Sequence, residues 1–113
     1  MPATLPHGLY KIAFETPSGT EYGVAYLQDG KLRGGDSGMA YVGSYVIDGS
    51  LMSAELSVSQ HRHVPGAVSA LGFNDFKIEM HGLVDDVAVF RLAGSSPLSS
   101  SIRFQVRLSL LAD

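Results

Sequence analysis

The chain has 113 residues, 45% of them hydrophobic and 17% charged, which fits one packed domain and is too apolar and too poor in charge for a disordered segment. Eight Lys and Arg stand against eleven Asp and Glu, a net charge of −3 with no basic run, so a nucleic-acid backbone has little to grip. The absence of cysteine excludes disulfides, thiolate metal sites and a cysteine nucleophile, and favours a reducing compartment.

Met1 to His7 has no basic start and no long apolar stretch, so it reads as a loose arm rather than a signal peptide. No window of about 18 apolar residues offers a membrane helix, and a cytoplasmic protein is expected. From there the dominant period is two, the signature of strands with one wet and one buried face. Tyr10, Ile12 and Phe14 alternate with Lys11, Ala13 and Glu15; Tyr22, Val24 and Tyr26 alternate with Gly23, Ala25 and Leu27. Met39, Tyr41, Gly43, Tyr45 and Ile47 share a face, as do Met52, Ala54, Leu56 and Val58, then Phe76, Ile78 and Met80. Val87 to Leu92 is apolar on both faces until Arg91, and Ile102, Phe104, Val106, Leu108 and Leu110 close the series.

Turn chemistry falls between these runs: Pro17-Ser18-Gly19, the hairpin pairs Asp29-Gly30 and Asp48-Gly49, a bend or bulge at Gly34-Gly35, and a tight turn at Val84-Asp85-Asp86. A polar loop is expected over 95–101, and a short helical turn or covering loop near 65–72. The sum is about eight strands, near 8–15, 21–28, 31–35, 39–47, 51–61, 73–82, 86–93 and 102–110, in one domain spanning 1–113. Short connections imply an up-and-down antiparallel meander, and closure into a lipocalin-like barrel removes its two open edges. Such an interior is filled by side chains or holds one small ligand.

Few residues carry a chemical signal. Gly35-Asp36-Ser37-Gly38 matches the tetrapeptide around the nucleophile of chymotrypsin-like proteases, but the chain is too short for that fold and reads as a glycine-rich bend. His61 and His63 would face one way on a strand without a third ligand at a suggestive spacing, and Asp85 and Asp86 read as solvated turn residues. No cofactor or metal is expected. Tyr22, Tyr26, Tyr41 and Tyr45 form a candidate ring of hydroxyls around a ligand cavity, the alternative being a filled core. Surplus apolarity on the second face singles out Val42, Val46, Ala88 and Phe90: these faces are covered by the chain's own loop or form a protein interface, most simply of a homodimer.

The opening His7-Gly8-Leu9-Tyr10-Lys11-Ile12-Ala13-Phe14, the stretch Asp29-Gly30-Lys31-Leu32-Arg33-Gly34-Gly35-Asp36 and the following Tyr41-Val42-Gly43-Ser44-Tyr45 resemble the GrlR family, negative regulators of type III secretion genes. The resemblance implies a lipocalin-like, cytoplasmic, homodimeric barrel without enzymatic activity. It also implies a regulator that binds a transcriptional activator and keeps it from DNA and need not touch DNA itself, in line with the acidic balance; no nucleic-acid or membrane partner is expected. Members of that family can carry an acidic run on the hairpin after the Tyr-rich strand. Here that position reads Ile47-Asp48-Gly49-Ser50, so Asp48, Gly49 and Ser50 are the partner-binding candidates, with one carboxylate among them. The alternative function is a carrier of a small apolar ligand.

Overall fold

The alternation closes on itself. In a computed structural model, which describes residues 6–17, 19–61, 75–96 and 99–113, eight antiparallel strands form a closed barrel in sequence order. They are β1 (Gly8–Thr16), β2 (Gly19–Gln28), β3 (Lys31–Gly35), β4 (Met39–Asp48), β5 (Leu51–Gln60), β6 (Asp75–Leu83), β7 (Val89–Ser96) and β8 (Ser99–Ala112). β1 pairs with β8 from Leu9↔Ala112 to Glu15↔Gln105, so the first and last strands seal the sheet and leave it no edge. The register slips between Leu9 and Tyr10, leaving Leu111 as an extra residue on β8. The segment near 65–72 lies outside the described residues.

The barrel is filled. Ile12, Leu27, Met52, Ile78, Leu92 and Leu108 are buried together, with Tyr10 and Tyr45 among them. Phe14 stacks on Phe104 at 4.6 Å between ring centroids, and Tyr10 meets Phe90 edge-to-face at 5.7 Å. Burying Tyr10 requires a partner for its hydroxyl, which donates to the Val87 carbonyl oxygen at 2.7 Å. Tyr45 does the same toward the carbonyl of Pro6 at 3.2 Å, pinning the residues just before β1 against the barrel.

The turns follow their residue types, with two adjustments. Asp29 and Gly30 both have positive φ, 51° and 79°, between the paired Gln28 and Lys31, as a type I′ hairpin requires. At the next hairpin Asp48 pairs with Leu51, so the two loop residues are Gly49 and Ser50 rather than Asp48 and Gly49. The positive φ falls on Gly49 at 65°, the position a II′ turn gives to glycine. Gly34 and Gly35 pair regularly with both neighbours, Gly34 with Ala25 and Tyr41, so the expected bulge is absent, and a Cβ at Gly34 would strike the Val24 carbonyl. The expected polar loop at 95–101 is largely strand: Ser96 pairs with Ser99, and β8 begins at Ser99.

Candidate functional site

Three regions combine chemistry with placement: one end of the interior, the outer face of β2–β4, and the opposite end around the Gly49-Ser50 hairpin. The first is built on Asp36, just after β3. Its Oδ1 accepts the backbone N–H groups of Gly38 and Met39 at 2.9 and 2.8 Å, an Asx-type turn that aims the chain into β4. Its Oδ2 accepts the Tyr41 hydroxyl at 2.6 Å. Burial pushes the Tyr41 phenol well above its ordinary value, and the hydrogen bond to Asp36 and the charges of Asp36 and Glu21 add to the shift. His61 Nε2 lies 3.0 Å from the Asp36 carbonyl oxygen, and the His61 amide donates to the Gly38 carbonyl at 2.9 Å. A ring nitrogen facing a carbonyl oxygen is the donor, so that nitrogen is not poised as a base for Ser37.

Beneath this cluster lies a cavity lined by Phe14, Glu21, Leu32, Asp36, Tyr41 and Val58, among others. Its volume of about 40 Å3 admits a few waters, whereas small-molecule pockets run to about 300–1,000 Å3.

The four tyrosines do not form a ring. Tyr41 and Tyr45 point inward, but Tyr22 and Tyr26 stand outside, Tyr22 at 60% exposure. Strand β2 presents Ala25 and Leu27 to the core instead, and the register Tyr10↔Ala25 shows why: the small residue makes room for the buried ring. Tyr22, Val24 and Tyr26 therefore form an exposed stripe. Tyr26 shares a cross-strand row with Arg33 and Val42, which carries the stripe onto β4. Val42 is 47% exposed, and Val46 lies farther along the same strand at 67%. His7 packs edge-on against Tyr26 at 5.8 Å.

Phe90 does not belong to this or any exterior face. It is 4% exposed, inside the barrel against Tyr10, while Val89 points out. The turn before β7 resets the strand phase. Asp86 accepts the Ala88 amide through Oδ1 at 2.9 Å and the Val89 amide through its carbonyl at 3.2 Å, so the count of two cannot be carried from Val87 through to Phe90. Ala88 is exposed in that turn.

At the opposite end, Asp48, Gly49 and Ser50 are exposed on their hairpin. The Ser50 carbonyl accepts the Val84 amide at 2.7 Å, which draws the Asp85-Asp86 turn to the hairpin. Asp48, Asp85 and Asp86 thus lie at the same end of the barrel, as do the exposed Leu51 and Leu83, which pair across β5 and β6. Composition alone could not reveal this. The signal was the Val-Asp-Asp turn, whose position in the closed barrel depends on the register of β5 against β6.

Among the described residues no three His, Cys, Asp or Glu side chains group to hold a metal ion, and no helix is long and apolar enough to cross a membrane. No family model matches the chain, and no curated protein does.

Proposed function

We propose that the chain is a non-enzymatic, protein-binding barrel of the cytoplasm. It self-associates through the outer stripe of β2–β4 and restrains a basic, DNA-binding transcriptional activator, as its resemblance to the GrlR family suggests. The observation that carries this reading is the convergence of the hairpin at Asp48 with the turn at Asp85 and Asp86. The carboxylate run missing from the hairpin sequence is replaced by charges from two turns, and exposed Leu51 and Leu83 supply apolar contact beside them. The filled interior favours a working exterior over a carried ligand.

The test is a pull-down with the tagged chain from its own host, followed by a gel-shift assay on any DNA-binding protein recovered. The reading expects an activator whose DNA complex dissolves as the barrel is added. It also expects the Asp48→Ser/Asp85→Ser variant to weaken that effect about tenfold, as the loss of two interface charges allows. Recovery of nothing but the chain itself, or an activator that binds barrel and DNA together, overturns it.

A further inference from the structure

Arg91 on β7 and Arg107 on β8 are direct cross-strand partners on the outer face, since Leu92, Val106 and Leu108 between them fill the core. Like charges directly opposite one another destabilise a sheet, and natural sequences place such pairs where another requirement overrides stability. Among the described residues nothing offsets this pair. Neither guanidinium has an ion-pair or hydrogen-bond partner among the described residues, and the Nε of Arg107 is buried without an acceptor.

The neighbouring rows extend the feature. Arg107 pairs across the barrel seam with Ala13, and Ala13 pairs with Tyr22. Ala13 faces outward yet is 1% exposed, a small floor beneath the two long side chains that flank it. In the adjacent row Val89 pairs with Ser109, Ser109 with Lys11, and Lys11 with Val24. Lys11 is exposed and likewise has no ion-pair partner among the described residues. Three cations therefore cluster on β7–β8–β1 in a chain whose net charge is −3. The nearest carboxylate on β1 is Glu15, two residues beyond Ala13, and Asp86 borders the patch at its other margin, where its carboxylate is engaged by the Ala88 amide.

We propose that this face docks an acidic segment of a partner protein. Its carboxylates would meet Arg91, Arg107 and Lys11, and an apolar side chain would meet Val89. A carboxylate between two facing guanidiniums turns their repulsion into charge-assisted hydrogen bonds. A nucleic acid fits less well: phosphate backbones are held by many cations, and a net negative chain repels them. The proposal rests on the reading of the chain as a protein-binding module, but it assigns a separate face and partner chemistry.

The experiment is fluorescence anisotropy on the full chain with a labelled peptide of alternating glutamate and valine. Saturable binding is expected, weakening as salt rises and falling about tenfold in the Arg91→Gln/Arg107→Gln variant, whose thermal midpoint should be unchanged or raised. Should that variant not fold, Lys11→Gln at its exposed site is expected to weaken binding about threefold. No saturable binding, or equal binding by a folded variant, overturns the proposal. So does a single-stranded oligonucleotide that binds more tightly than the peptide, which would make this a nucleic-acid surface. Reduced self-association of the double variant in sedimentation also overturns it, because the face would then serve a second copy of the chain. A dimer and a captured activator that persist while no peptide binds sink this inference alone.

Discussion

Tyr41 ties the interior to the turn that follows β3, and its hydroxyl can be removed without changing the shape of the ring. Tyr41→Phe leaves Asp36 Oδ2 without the donor at 2.6 Å. Hydrogen bonds to charged groups contribute about 1.5–3 kcal/mol, and the half-buried setting of Asp36 reduces this to about 1 kcal/mol, measurable by urea unfolding. The same side chain reports on pH. Burial is the first cause of the raised pKa at each of Tyr10, Tyr41 and Tyr45, from an ordinary 10.0. The folded state therefore holds these protons where the unfolded chain releases them. Stability is at its full value below pH 10.0 and falls as pH rises past it. Urea midpoints at rising alkaline pH should fall, and the fall should be shallower in Tyr41→Phe than in the parent. An equal slope in both would remove Tyr41 from the account. The Asp36 turn was partly legible in the sequence, because Asp-Ser-Gly is turn chemistry. Its bond to Tyr41 was not, since it depends on β4 returning beside β3 with Gly34 opposite Tyr41.

At the level of the strands, the period of two pointed to seven of the eight and the turn residues on either side pointed to β3, but the period did not always orient them. It worked on β5 and β8, where one face is mostly Ser, Glu, Gln or Arg and the other apolar. It misled on β2, where Tyr22-Val24-Tyr26 and Gly23-Ala25-Leu27 are both apolar and only the volume available beside Tyr10 decides. It misled again at Phe90, because an Asx turn inserted irregular residues before β7. Small residues on the inner face have a second meaning. A Cβ at Gly43 would strike the Glu55 carbonyl and lie 3.0 Å from the Leu56 Cα, so β4 can approach β5 there only without a side chain. Gly43→Ala should cost about 1–3 kcal/mol, as overpacked positions do. A shift in the urea midpoint within error of zero would show that the strands part freely. Gly49→Ala meets open space, so its cost should be confined to the positive φ of 65°, about 1 kcal/mol.

For the molecule as a whole, closure made the topology readable from short connections alone, while the exterior became readable only once the registers were known. Val42 and Val46 stand out in the sequence as surplus apolar residues; their continuity with Tyr22, Val24 and Tyr26 is a property of three strands lying side by side. If that stripe is the self-association face, Val42→Asp should convert a dimer to a monomer in sedimentation without loss of β signal in circular dichroism. A parent chain that sediments as a monomer at every concentration would leave the stripe to another partner. Arg91 and Arg107 carried no signal singly, since each is an ordinary outward residue of an alternating strand. Their opposition appears only in the pairing of β7 with β8.

The seam between β1 and β8 has a consequence for folding. Leu9 and Ala112 must meet for the sheet to close, so until β8 has paired both β1 and β7 present unpaired backbone. Without that seam the sheet has two open edges, however stable the closed barrel is. A change that slows the meeting of β1 with β8 should therefore lower the recovery of soluble barrel on refolding from urea without altering the stability of the closed form.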